Sequence, residues 1–455
     1  MGQVFQHATV VSIGDELAIG QSLDTNSKWL SNQLTAMGVR VIEHVAVPDD
    51  VQAMLAALRR LANNADLIVA TGGLGPTADD LSRAVLAALL GDALVRDEVA
   101  YRELEALFRK RGRELTEANA MQALRPASAT CLSNPHGTAP GLRAQYRVAD
   151  RAVEVFMLPG PPHENRPMFE AFVAPAIKRP VGHVIRARVI HHYGPAESEA
   201  ARRLGPLLDR DRNPLVGITA SDGVISLRIR YEGAEEDAER LIEATDAEVE
   251  RVLASHRFAV VDDPGAEVAP PIYVALLEEL KQRGATLVTA ESCTGGMLAE
   301  CITSISGSSS NFVGGFVTYS NELKHRVLGV ERAVLEAHGA VSGETAREMA
   351  AGAVRTALHA QIPGTHETHA LSITGIAGPD GGSREKPVGT VWIGRASSSD
   401  VDVEARRFVF PGDRATVRRR SAATATAMLL FHLTGREMPR MLWQVEPDGT
   451  PPMGG

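Results

Sequence analysis

The chain has 455 residues, 44% of them hydrophobic and 23% charged, enough for two or three domains each with its own core. A formal net charge of −9 and a pI of about 5.9 exclude a broad basic surface for nucleic acid. Cys131, Cys293 and Cys301 form neither a disulfide framework nor a CxxC motif, no apolar run of ~18 residues is present to span a membrane, and no basic and apolar leader opens the chain; a cytoplasmic, reducing setting is expected.

From Ala8 to about Pro175, short apolar runs alternate with helical patterns, which argues a mostly parallel sheet covered by helices. Strands are predicted at Thr9–Ile13, Arg40–Val47, Asp66–Ala70 and Val153–Leu158, and helices near Ser27–Met37, Val51–Asn63 and Asp80–Leu90. ThrGlyGlyLeuGlyProThrAlaAspAsp (Thr71–Asp80) begins where the third strand ends. Gly72, Gly73 and Gly75 permit positive φ and close approach of a ligand. Successive N–H groups there, with the start of the Asp80 helix, suit phosphate oxygens at a strand's carboxyl end. Asp79 and Asp80 are candidates to hold a divalent cation, or one of them caps the helix. The loop is neither a Walker loop nor a GxGxxG. Two further segments, Gly14–Gln21 and Leu158–Asn165, follow strands and close the same pocket. They bring Glu16 and Glu164 as second carboxylates or as solvated surface groups, and Thr77 and Asn26 are candidate contacts.

A composition shift follows. His183–His192 and Val224–Tyr231 alternate like strands, while Pro195–Leu208 and Ala234–Leu253 read as helices, giving a small α+β module over 182–262. It carries no GxxG loop, the element some RNA-binding modules use to clamp the backbone. Residues 263–271 read as a Pro-bearing linker, 272–435 as a second α/β domain ending in a long helix (Asp413–Leu433), and 436–455 as a tail.

In that last domain, ThrAlaGluSerCysThrGlyGly (Thr289–Gly296) joins a strand, Ala285–Thr289, to a helix, Met297–Ile302. Such a turn exposes Ser292 and leaves N–H groups free around Thr294, Gly295 and Gly296, the parts an acyl-transfer nucleophile needs. Small-residue turns before helices also serve structure alone. After the apolar run Phe312–Thr318, TyrSerAsnGluLeuLys offers Lys324 as a base and the Tyr319 hydroxyl beside it. Cys293 is a rival nucleophile, but neighbours on a turn diverge and only one can meet Lys324. The triplet Arg418–Arg420 reads as a solvated helix face. His366 and His369 are spaced i,i+3 without a further ligand in view.

Taken together, the chain resembles the CinA family, the competence/damage-inducible protein A group, from about Ala8 to Leu433. The resemblance rests on GlyAspGluLeuAlaIleGlyGln, AspThrAsn, the Thr71–Asp80 loop, AsnProHisGlyThrAlaProGly (Asn134–Gly141) and LeuProGlyProPro in the first half. In the second half it rests on AlaGluSerCysThrGlyGly, GlySerSerSerAsnPhe, TyrSerAsnGluLeuLys, HisGlyAlaValSer, IleThrGlyIleAlaGlyProAspGlyGly, LysProValGlyThrVal and PheProGlyAspArg. It implies a three-layer α/β molybdopterin-binding-like domain at 1–175, a KH-like α+β module at 182–262 and a nicotinamide mononucleotide (NMN) deamidase domain at 272–435. It further implies NMN and ADP-ribose as ligands, a metal-dependent ADP-ribose pyrophosphatase in the first domain, no cofactor for the deamidase, and a homodimer. Carried over residue by residue, Ser292 is the nucleophile, Lys324 the base, Tyr319 a supporting hydroxyl and Arg414 a phosphate or substrate contact. Thr374 and Gly375 line the same pocket, and the glycine loop (Gly72, Gly73, Gly75) and Asp80 match the family's first pocket; a metal on Asp80, with Glu16 as the candidate second carboxylate, is expected to polarise a pyrophosphate bound on that loop. One departure is ProHisGluAsn (Pro162–Asn165), where many relatives carry a ProArgGlu-type ending.

Overall fold

In the computed structural model, residues 4–178, 182–262, 271–359, 367–399, 403–436 and 440–445 are described. His366, the stretch 263–270 and most of the tail therefore lie outside the described residues.

Short runs rich in Val, Ile and Leu make the amino-terminal strands, fully buried in the third and alternately exposed in the second. β1 (His7–Ile13), β2 (Arg40–Val47) and β3 (Leu67–Thr71) alternate with α1 (Asp15–Ala18), α2 (Thr25–Ala36), α3 (Val51–Ala62) and α4 (Ser82–Leu90). A small pair, β4 (Leu94–Arg96) and β5 (Leu124–Pro126), brackets α5 (Glu98–Lys110) and α6 (Glu117–Ala120). β6 (Thr130–Leu132), β7 (Gly141–Val148), β8 (Arg151–Leu158) and α7 (Pro162–Met168) complete this part. The sheet order is β2-β1-β3-β8-β7-β6. The first four strands run parallel, β7 runs antiparallel to β8, and β6 is antiparallel to β7 in turn. Separate apolar clusters cover its two faces, one through Leu58 and Val85 of α3 and α4, the other through Trp29 and Leu30 of α2 with Phe169. That is the expected three-layer arrangement. Asp24 and Asp50 accept N–H groups of Ser27 and Ala53 and so fix where α2 and α3 begin.

The middle module contains β9 (His183–Tyr193), α8 (Glu197–Leu204), β10 (Leu215–Ser221), β11 (Val224–Ala234), α9 (Glu235–Leu253) and β12 (Arg257–Asp262), with sheet order β10-β11-β9-β12. The carboxy-terminal part runs α10 (Pro271–Arg283), β13 (Thr286–Glu291), α11 (Met297–Thr303), β14 (Phe312–Val317), α12 (Asn321–Leu328), α13 (Arg332–His338) and α14 (Gly343–His359). It continues with β15 (Thr368–Gly375), β16 (Thr390–Ser397), β17 (Glu404–Val409), α15 (Arg414–Leu433) and β18 (Gln444–Val445). Its sheet order is β14-β13-β15-β16-β17-β18. Residues of α10, α11 and α15 bury one face, and those of α14 the other.

The chain forms two compact units. One holds the residues up to Arg186 with Tyr231–Glu239; the other holds Ala187–Arg230, Arg240–Asp262 and the carboxy-terminal part. Within the second unit, Tyr193 of β9 belongs to the same apolar core as α10 and α15, and its hydroxyl pairs with Thr424 Oγ1 at 2.7 Å. Among the described residues, no helix is long and apolar enough to cross a membrane.

Candidate active site

β13 lies between β14 and β15 and is parallel to both. Three carboxyl ends therefore open on one edge of the sheet, where ligands bind in open α/β folds. Ser292 leaves β13 there, its N–H still donating to Ile373 O at 2.9 Å. The chain then turns tightly: Gly295 N–H donates to Ser292 O at 3.1 Å, and Gly295 and Gly296 take φ of 60° and 92°. Those left-handed values require glycine. Glu291, 1% exposed, accepts the N–H groups of Leu298 at 3.1 Å and Ala299 at 2.9 Å. The first-turn donors of α11 are thereby occupied. The N–H groups of Thr294 and Gly296 have no acceptor among the described residues.

Lys324 comes from α12, whose start Ser320 fixes by accepting Leu323 N–H at 3.2 Å. Its side chain is 1% exposed, with Nζ at 2.9 Å from Ser292 Oγ, 2.9 Å from Thr318 O and 3.3 Å from Tyr319 O. Burial lowers its pKa to about 8. Carbonyls only accept, and a neutral amine has two N–H donors and one lone pair. With both N–H groups directed to the carbonyls, the lone pair is left for the Ser292 hydroxyl. The arrangement suits removal of the serine proton.

Cys293 does not share this site. It is 5% exposed within the apolar cluster of α10, α11 and α15, and burial pushes its thiol up to about 12. Tyr319 reaches Lys324 through its carbonyl, not its hydroxyl. The hydroxyl, on a side chain largely open to solvent, accepts from Arg414 Nη2 at 3.2 Å, while Arg414 Nη1 donates to Gly378 O at 2.8 Å. The Tyr319 hydroxyl thus pairs with Arg414 and is hydrogen-bonded to neither Ser292 nor Lys324 among the described residues. At the end of β15, the Thr374 hydroxyl donates to Ala340 O at 2.7 Å, and a Cβ at Gly375 would collide with the Thr390 carbonyl at 2.6 Å. Both residues are thus fixed by packing at the end of β15.

The reading of Arg418–Arg420 as a solvated face is also corrected. Arg418 donates to Thr294 O through Nε at 3.0 Å and Nη2 at 2.6 Å. Arg419 and Arg420 face Asp222 at 3.2 and 3.5 Å, and Arg420 lies over the Trp443 ring at 4.4 Å. Glu291 and Arg418 are the site residues that sequence reasoning missed. The available signals were a glutamate at a strand end before the turn, and an arginine one helical turn beyond Arg414.

In the first unit, the Thr71–Asp80 loop borders a cavity of about 340 Å³, also lined by Glu16, Asp49, Gln122 and Glu164. Gly72 has φ 105°, and a Cβ there would strike the Ile13 carbonyl. Gly73 has φ 65°, and a Cβ at Gly75 would strike the Asp80 carboxylate. Asp80 closes its own loop: one oxygen accepts Gly75 N–H at 2.6 Å, the other Thr77 N–H at 2.8 Å and the Thr77 hydroxyl at 2.5 Å. Asp80 thus clasps its own loop while lining the cavity, and Oδ1, with a single donor, keeps a lone pair. Thr77 serves the same clasp. α4 begins at Ser82 with no side-chain cap, so neither Asp79 nor Asp80 caps it. Asn26 Nδ2 donates to Gly160 O at 2.6 Å and Thr71 Oγ1 at 3.2 Å, and so ties the walls together.

Chemically, the carboxylates left around this cavity fit a hard cation shared with a ligand's oxygens. Burial, then the neighbouring carboxylates of Asp15, Asp79 and Glu16, raise the pKa of Asp49, a mark of surplus negative charge. Among the described residues, no three His, Cys, Asp or Glu side chains are grouped to hold a metal by themselves. His369 is buried in β15 beside Glu367, at 3.4 Å.

An α/β protein with a buried lysine on a serine that is itself 8% exposed, at the carboxyl end of an interior strand, joined to a three-layer domain with a glycine loop, is the class that fold and site define. Residues 9–179 match the probable molybdopterin binding domain family, 187–259 the damage-inducible protein CinA KH domain and 271–433 the CinA C-terminal domain. A competence-damage inducible protein of Caldanaerobacter subterraneus subsp. tengcongensis is 40% identical over 430 residues, covering 94% of this chain and 99% of that one. Its counterpart in Symbiobacterium thermophilum is 41% identical over 438 residues, with the same 94% and 99% coverage. Among solved structures, the protein CinA from Thermoplasma acidophilum is 34% identical, covers 38% of this chain and 98% of its own, and has a TM-score of 0.35. The chain belongs to the CinA family of competence/damage-inducible proteins, with a molybdopterin-binding-like first domain.

Proposed function

We propose that the carboxy-terminal site is a Ser–Lys amidohydrolase that converts NMN to nicotinate mononucleotide and ammonia. The observation that carries this reading is the 2.9 Å contact between Ser292 Oγ and the buried Lys324 Nζ. An unshifted lysine, with a pKa of about 10.4, is neutral to only about one part in a thousand at pH 7.5. With its pKa lowered to about 8, Lys324 is neutral in a substantial fraction of molecules. Neutral Lys324 takes the Ser292 proton as Oγ attacks the carboxamide carbon. The oxyanion is met by N–H groups of the Thr294–Gly296 turn, each such donor being worth roughly 3–4 kcal/mol. The C–N bond breaks, and the proton on Lys324 passes to the departing ammonia. Lys324 then takes a proton from water, the hydroxide attacks the acyl-enzyme, and the proton returns to Ser292 Oγ as the acid leaves. Arg414 at the rim offers its guanidinium to the substrate phosphate.

The test is ammonia release from NMN by the full chain beside Ser292→Ala and Lys324→Ala. Loss in both variants with folding intact supports the reading. No release by the parent favours a nucleotide- or molybdopterin-binding regulator instead.

The acidic, glycine-lined cavity of the first unit favours a second activity there, hydrolysis of the ADP-ribose pyrophosphate. Glu16, with Asp49 or Asp79, would hold a divalent cation together with the pyrophosphate; such an ion, when bound, neutralises charge on the phosphoryl oxygens. Gly72 and Gly73 let the ligand approach the backbone, and Asn26 keeps the opposite wall in place. AMP release from ADP-ribose that neither depends on added Mg²⁺ nor falls in Glu16→Gln would count against it.

A further inference from the structure

We propose that Arg418 is a positioning residue of the carboxy-terminal reaction: by gripping the Thr294 carbonyl it aims the Thr294 and Gly296 N–H groups at the oxygen that becomes negative when Ser292 attacks. The inference rests on the reading of Ser292 as an acyl-transfer nucleophile.

The nucleophile turn is held at both ends. On the sheet side, the Glu291 carboxylate ties the end of β13 to Leu298 and Ala299 at the start of α11. On the helix side, Arg418 places two donors of one planar group on a single acceptor, Thr294 O, at 3.0 and 2.6 Å. That carbonyl also accepts Met297 N–H at 3.2 Å. Two donors in a fixed fork restrict rotation of the Thr294–Gly295 peptide in a way a single donor does not. The N–H of that same peptide, Gly295's, donates to Ser292 O at 3.1 Å, so the turn holds one side of the peptide and Arg418 the other; Thr294 Oγ1 is buried without a partner and Thr294 N–H has no acceptor among the described residues.

Arg418 is itself fixed in direction. Arg414, one turn earlier on α15, is held on Gly378 O, and the next residues, Arg419 and Arg420, face Asp222 of the β10–β11 turn. The helix therefore cannot rotate without breaking contacts before and after Arg418. With the glycine pair at Gly295 and Gly296 free to take many conformations, an external grip is what selects one. Donors prearranged for the developing charge cost no reorganisation during the reaction, and that is where such a grip acts. The half-buried guanidinium adds positive charge beside the same turn.

The experiment compares the parent, Arg418→Gln and Arg418→Lys in two assays: ammonia release from NMN, and the rate at which a fluorophosphonate labels Ser292. The labelling rate reads the nucleophile and its oxyanion donors whatever the natural substrate. Arg418→Gln is expected to lower kcat by about 10–100-fold, within the range seen for loss of an oxyanion donor. Labelling should slow by a similar factor, KM should stay within about twofold, and the pH midpoint of kcat should not move, because Lys324 is untouched. Arg418→Lys should recover part of the loss and, if Arg418→Gln fails to fold, carries the test alone. Unchanged kcat and labelling overturn the proposal. A rise in KM alone makes Arg418 a substrate contact and also overturns it. If the parent labels at Ser292 without releasing ammonia from NMN, the substrate reading fails while labelling still decides the role of Arg418. If the parent neither labels nor turns over, the proposal falls with the nucleophile.

Discussion

Ser292 and Cys293, adjacent in the chain, face opposite sides of one turn: the hydroxyl meets Lys324 Nζ at 2.9 Å, and the thiol is packed in the apolar core. Cysteine is intrinsically the better nucleophile, yet here it has neither access nor a base. Cys293→Ala is expected to keep ammonia release within a few-fold of the parent, at a stability cost of about 1–2 kcal/mol for the cavity left behind. Ser292→Ala should lose activity by about a thousandfold or more. Initial rates and urea unfolding of both variants check this, and the reverse pattern would reassign the nucleophile.

Lys324 links activity to stability with a definite sign. Its folded pKa of about 8 lies below the ordinary lysine value of 10.5, so between those values the unfolded chain binds more protons. The burial penalty is full below about pH 8 and is relieved as the pH rises toward 10.5. Activity should accordingly rise with pH through an apparent midpoint near 8. Lys324→Met should be inactive but more stable at pH 7, by on the order of 2–3 kcal/mol, and that advantage should shrink by pH 10. Denaturant midpoints at the two pH values decide it. A constant difference would mean that Lys324 is not destabilised by burial.

Arg414 stands at the rim with its guanidinium shared between Gly378 O and the Tyr319 hydroxyl. If it receives the substrate phosphate, Arg414→Ala should raise KM for NMN by about 10–100-fold, the scale of a lost charge-assisted contact. Turnover of nicotinamide riboside, which has no phosphate, should hardly change. Equal losses on both substrates would assign Arg414 to shaping the rim instead.

The Asp80 clasp is a structural prediction about the first unit. Asp80→Ala releases the N–H groups of Gly75 and Thr77 and removes the partner of the Thr77 hydroxyl. The loop between Thr71 and Asp80 should become more protease-sensitive, and the unit should lose about 1–3 kcal/mol. Limited proteolysis followed by mass spectrometry checks the first point and thermal unfolding the second. An unaltered cleavage pattern would show that the glycines hold the loop unaided.

Strands β1, β2, β3, β8, β13 and β14 were legible because each is a short apolar run followed by a turn or helix signal, and sequence carries that signal directly. The serine–lysine pair was legible for a related reason: both residues leave the ends of neighbouring parallel strands, and the order of elements brings such ends together. Directions of side chains were not. A tyrosine next to a lysine-bearing helix gives no sign that its hydroxyl turns to Arg414, 95 positions later. Nor does an arginine triplet on a helix announce partners: Arg418 finds Thr294 and Arg419 finds Asp222 only once the sheet has closed. The Asp80 clasp was illegible for the same reason, since which donors a loop presents to its own carboxylate depends on its folded path.

Tyr193 sits among the core residues of the carboxy-terminal part, hydrogen-bonded to Thr424, and the next residue, Gly194, accepts Leu442 N–H at 2.9 Å. The seam between middle module and carboxy-terminal domain, so clear along the chain, is therefore not a seam in the hydrophobic interior. A fragment beginning at Pro271 would lack that aromatic plug and leave apolar neighbours open to water, inviting self-association. Carrying residues 187–262 along, or replacing the lost plug by design, is what separates a soluble fragment from a sticky one.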